Sequence, residues 1–278
     1  MRTVVERDPG ELVSRAGAWL ATEPVLHNVI CSVLARATAD PASFNEAAWF
    51  AVEDGGGPVG VAIHTPPFLL GLTPMSDAAV GALADVVAVH RPGLPGVAGP
   101  GDVATRFARL WAERTGAGVV EGMEQLMYQL DSVVAPPPAP GGLRPAAGRD
   151  RELLEGWLGD FVAETGVIGR EPSVLVDKWL HHGGLHLWED GGGVTMAGTV
   201  PAVAGVVRVG PVYTPPAWRR RGYASACVAA LSQQALDRGA SACMLYTDSS
   251  NPTSNGIYQR IGYRRVAPAR EYRFSYTG

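Results

Sequence analysis

Apolar side chains recur along the second half of the chain with two periods, and the points where the period changes mark out an alternation of helices and strands. Leu154, Trp157, Leu158 and Phe161 fall three and four residues apart, the spacing of one helical face. Ala224, Val228, Leu231 and Ala235 repeat that spacing before Gly239, so a helix of about four turns begins near Gly222. Runs rich in β-branched residues between them read as strands. The predicted order is a strand near Leu143, helices over 150–164 and 173–182, strands over 185–189, 194–200 and 205–214, the helix from Gly222, a strand over 241–248, a helix over 253–261 and final strands to Phe274. A mixed, centrally parallel sheet flanked by helices follows, an α/β (α+β) architecture.

The first half carries a weaker version of the same pattern. Glu53-Asp54-Gly55-Gly56-Gly57 recurs as Glu189-Asp190-Gly191-Gly192-Gly193, and Arg7-Asp8 with Leu12 and Trp19 parallels Arg149-Asp150 with Leu154 and Trp157. Each set predicts a first strand, a helix capped by aspartate and a hairpin turned on glycines. Residues 133–142 hold four prolines and two glycines, a semi-rigid linker. A duplicated domain is expected, with copies over 1–132 and 143–278.

The chemistry concentrates where strand 205–214 meets the next helix. Pro215-Pro216 stops the strand, and Arg219-Arg220-Arg221-Gly222-Tyr223-Ala224-Ser225 opens the helix. The first amides of a helix lack intrahelical partners, and the peptide dipoles leave about half a positive charge there. Gly222 lets the backbone approach a ligand, Ala224 adds little bulk, and the arginines supply fork-shaped donors. Pyrophosphate fits such a junction. No G-x-x-x-x-G-K-[ST] loop occurs, the only lysine is Lys178, and no G-x-G-x-x-G follows a strand, which argues against nucleotide-hydrolysing and dinucleotide-binding loops. In the first copy, the segment 99–104 is expected near the equivalent place, with Asp102 where phosphate would approach.

A second block, Asn251-Pro252-Thr253-Ser254-Asn255-Gly256-Ile257-Tyr258-Gln259-Arg260-Ile261-Gly262-Tyr263, follows one helix and one strand later. The two blocks together resemble the GNAT superfamily of acyl-CoA-dependent N-acetyltransferases, in which R/Q-x-x-G-x-G/A precedes a strand, an asparagine and an L/I-Y-x-x-x-G-F/Y helix. Arg219, Gly222 and Ala224 match the first motif, and Asn251, Ile257, Tyr258, Gly262 and Tyr263 the second. The resemblance covers about residues 143–278 and implies two GNAT-like domains, the first degenerate and without cofactor. It implies acetyl-CoA as co-substrate without a metal. Val212, Tyr213 and Thr214 would pair with the pantetheine arm, and Arg219, Arg220, Arg221, Gly222, Tyr223, Ala224 and Ser225 would surround the pyrophosphate. Asn251 would hold the arm, and Tyr258 would protonate the departing thiolate. An amine of a small molecule or peptide would attack the thioester directly in a ternary complex. A base is not readable; Glu164 and Glu171, flanking the turn 166–169, are its candidates. An acyl-CoA-binding regulator without turnover, and a transferase using a hydroxyl acceptor or longer acyl chain, stay open.

Composition narrows the partners. Residues 1–135 hold eight arginines against fifteen acids, and 143–278 fourteen arginines and one lysine against twelve, about −7 and +3. The second part suits a polyanionic cofactor, and neither is basic enough for nucleic acid. Cys31, Cys227 and Cys243 lack metal or disulfide spacing and read as small buried hydrophobes, and the histidines 181, 182 and 186 lack ligand spacing. No apolar run long enough for a membrane span and no apolar signal core appears, so the cytoplasm is expected, with a homodimer left open.

Overall fold

The computed structural model describes residues 1–166 and 171–276. The first half runs β1 (Arg2–Glu6), α1 (Pro9–Leu20), α2 (Asn28–Ala39), β2 (Ala48–Glu53), β3 (Pro58–His64), β4 (Leu70–Leu72), α3 (Asp77–His90), β5 (Gly96–Pro100), α4 (Gly101–Thr115) and β6 (Gly118–Leu130). The second runs β7 (Gly142–Pro145), α5 (Arg151–Thr165), α6 (Pro172–His181), β8 (Leu185–Glu189), β9 (Gly193–Val203), β10 (Val206–Tyr213), α7 (Tyr223–Asp237), β11 (Ala242–Asp248), α8 (Pro252–Arg260) and β12 (Arg264–Ser275). One order, β-α-α-β-β-β-α-β-α-β, is thus repeated. The chain forms two compact units: Met1–Met127 with Asp248–Ser250 and Val266–Gly278, and Tyr128–Thr247 with Asn251–Arg265.

In the first unit the sheet order is β1-β2-β3-β4-β5-β12-β6. Strand β2 is almost wholly buried because both of its faces are covered, as in parallel-sheet cores. Its alternation appears in the packing instead: Trp49 and Ala51 join Leu12, Ile30 and Leu34, while Phe50 and Val52 join Leu83, Phe107 and Trp111. The final strand completes this unit. Residues 269–273 of β12 run antiparallel to 96–100 of β5, and Phe274 stacks on Trp111 with ring centroids 5.6 Å apart. Tyr276 accepts from Trp111 Nε1 at 3.0 Å and donates to the Leu94 carbonyl at 2.7 Å.

In the second unit the order is β7-β8-β9-β10-β11, antiparallel except for the parallel pair β10·β11. Leu154, Trp157 and Leu158 bury the predicted α5 stripe against Val176, Leu187, Met196 and Tyr213, with Phe161 at its margin. Residues of the proline-rich stretch bind here: Val134 N–H donates to the Ile261 carbonyl at 3.0 Å and Trp188 Nε1–H to that of Pro140 at 2.7 Å. Among the described residues, no helix is long and apolar enough to cross a membrane.

Three expectations need correction. Asp8 caps α1, accepting from Glu11 N–H at 3.0 Å, but Asp150 does not cap α5: Arg144 takes both its oxygens, at 2.7 and 2.8 Å. The final strands are one, β12. The segment 99–104 belongs to the β5–α4 junction, so by element order it corresponds to β11–α8; the counterpart of β10–α7 is β4–α3, residues 73–76. There Ser76 accepts from Ala79 N–H at 3.3 Å and Asp77 opens the helix, so its N-terminus is closed by its own side chains.

His64, buried at the end of β3 beside Arg91, is held at about 4, chiefly by loss of solvation and secondarily by the guanidinium charge. An unfolded histidine titrates near 6.5, so on acidification the unfolded chain takes this proton first. The stability that neutral His64 contributes above that value is lost as pH falls towards 4. Thermal melts at about pH 7.5 and about pH 5 should show a smaller acid loss in His64→Leu than in wild type. An equal loss in the two proteins would contradict this.

Candidate active site

Strands β10 and β11 pair in parallel from Val206 opposite Ala242 to Arg208 opposite Met244. Both then continue, β10 to Tyr213 and β11 past Leu245, with no further pairing between them among the described residues. Parting parallel strands open a crevice beyond their common stretch, where ligands of α/β sheets characteristically bind. On its other edge β10 stays paired with β9, through a register shift between Val209 and Val212. Gly210, at φ +137°, lies in that bulge. Val212 and Tyr213 are opposite Ala197 and Met196, and Thr195 Oγ1 donates to the Tyr213 carbonyl at 3.1 Å.

The loop 214–222 then turns into α7. Arg220 and Gly222 take left-handed backbone conformations, φ +64° and +85°. Such alternation aims successive amides into one concavity. Gly222 is the N-cap and has no side chain to turn inward; the first intrahelical bond runs from Ala226 N–H to its carbonyl, at 3.0 Å. The amides of Tyr223, Ala224 and Ser225 precede that bond. Where a side chain would stand at Gly222 the space is open, its nearest neighbour being the Ala139 methyl group, 3.9 Å away. Arg221 lies over the Trp218 ring at 5.0 Å, and Trp218 meets Tyr223 edge-on at 6.2 Å. Tyr223 donates its hydroxyl to Asp190, the hairpin residue after β8, which ties the helix start to that turn.

Arg219 is directed elsewhere. Its Nε donates to the Thr214 carbonyl at 2.8 Å, and its Nη2 to both Glu164 oxygens, at 2.7 and 2.8 Å. Tyr213, buried against Trp157, donates its hydroxyl to Asp160 at 3.2 Å. Burial, then the charges of Glu164 and Asp160, push its acidity to higher pH. Glu171 stands exposed before α6, and of the turn 166–169 the part from Val167 lies outside the described residues.

Asn251 is the N-cap of α8: its Oδ1 accepts from Ser254 N–H at 3.1 Å. Tyr258, on the same helix, is buried between Tyr128 and Tyr263, at ring distances of 6.5 and 6.0 Å. Loss of solvation, with a smaller contribution from Cys227 of α7, pushes its hydroxyl up to about 12. Burial likewise pushes the Cys227 and Cys243 thiols up, to about 12 and about 11. Neither is a ready nucleophile. Cys31 is half-buried rather than buried. Among the described residues, no three His, Cys, Asp or Glu side chains are grouped as a metal ligand set.

Residues 154–263 match the model of the Acetyltransferase (GNAT) family. This segment of the chain is similar to that family. The matched segment contains β10, the loop, α7, β11 and α8. No curated protein sequence matches the chain. Among solved structures, a GNAT-family acetyltransferase from Colwellia psychrerythraea is 12% identical over 100% of both chains, with a TM-score of 0.59. A Drosophila protein is 11% identical over 99% of this chain and 98% of its own, with a TM-score of 0.69. A GCN5-related N-acetyltransferase from Kribbella flavida is 20% identical over 79% and 88%, with a TM-score of 0.56. At such identities the likeness is one of fold.

Asp160 and Asp190 are not among the site residues expected from the sequence, Asp190 entering there only as part of a hairpin turn. The four-residue step from Asp160 to Glu164 on α5 places those two carboxylates on a common face. The cap at Asn251 gives a direct expectation. Asn251→Ala should lower stability by about 1 kcal/mol in denaturant titration, and Asn251→Asp should recover most of it. No loss in the alanine variant would show that the Ser254 bond contributes nothing.

Proposed function

We propose that the second unit transfers an acetyl group from acetyl-CoA to an amine by direct attack in a ternary complex. The observation that carries this reading is the open, left-handed helix start at Gly222 beside the parted strands β10 and β11, within the segment that matches the family model. Pyrophosphate would sit against the amides of Tyr223, Ala224 and Ser225, with Arg220 and Arg221 supplying charge. The pantetheine arm would lie along Val212, Tyr213 and Thr214 as one more strand. A β10 amide near Val212 would stabilise the oxyanion of a tetrahedral intermediate. A hydroxyl held near 12, as at Tyr258, stays protonated at neutral pH and can donate to a thiolate whose ordinary value is about 8.5. The buried thiols support direct attack over an acyl-enzyme. The first unit, with the shorter junction 73–76 closed by Ser76 and Asp77, serves structure or acceptor recognition. Its acidic balance would favour a cationic amine. A cytoplasmic setting belongs to the same reading.

Two measurements test it. Calorimetry with acetyl-CoA should give one site per chain. Gly222→Asn tests the cradle most cleanly, because asparagine tolerates a left-handed backbone while its side chain enters the open space. Binding should weaken roughly tenfold or more, the equivalent of one charge-assisted hydrogen bond. Gly222→Val, strained as well as bulky, should weaken it further. Two sites, or unchanged binding in the asparagine variant, would overturn the reading.

The second measurement is turnover in Tyr258→Phe, with an amine identified by thiol release. Cofactor affinity should hold while kcat falls roughly 10²- to 10⁴-fold. The hydroxyl titrates too high to shape an alkaline limb, so the two pH profiles should be parallel below about 10. A kcat within about twofold of wild type would leave Tyr258 a packing residue and water the proton source.

A further inference from the structure

We propose that Arg219 is a positioning residue: with Glu164 it forms a strut that sets the corner between β10 and the phosphate loop. The inference rests on the cofactor reading above and assigns both residues roles within it. Arg219 is five residues after Thr214, and the bond from its Nε to the Thr214 carbonyl, 2.8 Å, closes the intervening turn on itself. Its Nη2 bonds to both Glu164 oxygens, at 2.7 and 2.8 Å, brace that closed turn against α5. The guanidinium carbon lies 5.7 Å from the centroid of the Tyr213 ring, the last residue of β10. Tyr213 is anchored to the same helix through Asp160, at 3.2 Å, and through its packing on Trp157.

A planar guanidinium has a fixed fork of donors. With Nε and Nη2 committed to these acceptors, the Nε–Nη2 edge faces Thr214 and Glu164 and is not available to a phosphate in the loop. Glu164, in turn, spends both oxygens on the Arg219 guanidinium. What the pair does is hold residues 214–219 in place, and with them the start of the amide concavity at Arg220 and Gly222. The effect on the cofactor is exerted through the backbone. Lysine cannot replace this arginine, because one ammonium does not reproduce the fork.

The test is calorimetric binding of acetyl-CoA to the full chain, wild type against Arg219→Lys, Glu164→Gln and the double variant, with melting temperatures alongside. Each single change should raise Kd roughly three- to tenfold, and the double variant should bind no worse than the weaker single, as for residues that act as one unit. Melting temperatures should hardly move, since a half-exposed ion pair contributes little to folding. If Arg219→Lys weakens binding and Glu164→Gln does not, Arg219 contacts the phosphate and the proposal fails. If affinities are unchanged while thiol release collapses in Glu164→Gln, Glu164 is the base and the proposal fails. If only the melting temperatures fall, the pair is structural and the proposal again fails. Gly222→Asn separates this failure from that of the cofactor reading: weaker binding there, with normal binding in the strut variants, refutes the strut alone.

Discussion

A helix cannot bond the amides of its own first turn, and the function proposed for this chain depends on how that vacancy is treated at α7. At α1, α3 and α8 the side chains of Asp8, Ser76 and Asn251 turn back onto the first-turn amides. At α7 the cap position is glycine in a left-handed conformation, so no side chain can do so. The amides at 223–225 stay directed outward at the positive end of the helix dipole, which is the condition for binding an anion without a metal.

The surrounding structure serves that vacancy. The bulge at Gly210 and the loss of pairing after Arg208 carry β10 away from β11, so that a ligand reaching from the helix start can enter the sheet. Arg219 and Glu164 fix the turn between strand and helix, and Tyr223 ties the helix start to the β8–β9 hairpin through Asp190. The first unit repeats the order of elements and lacks these devices. Its β4 spans only Leu70–Leu72, its junction is short, and Ser76 and Asp77 satisfy and screen the helix end.

What could be read from the sequence was whatever repeats locally. The α5 stripe, the helix from Gly222 and strand 185–189 follow from spacing, and the structure has them at Arg151–Thr165, Tyr223–Asp237 and Leu185–Glu189. What could not be read depends on partners distant in sequence. Arg219 meets a glutamate 55 residues away, and nothing in its own motif distinguishes a phosphate ligand from a strut. Asp150 looked like Asp8 as a helix cap, but the neighbouring Arg144 competes for it. The sequence places 99–104 near the equivalent of the phosphate loop, whereas the order of elements makes 73–76 the corresponding junction. Strand β12 carries no mark of the sheet it joins; its assignment to the first unit depends on Trp111, Thr105 and Leu94, residues far back in the chain.

The central claim is that one helix start, and not its counterpart in the first unit, receives the cofactor's phosphates. Hydrogen exchange of the full chain with and without acetyl-CoA reads this at the amides concerned. The account predicts slowed exchange across 222–226 and along 212–214, with no change at 76–79. Protection at 76–79, or none at 222–226 under saturating acetyl-CoA, would contradict it.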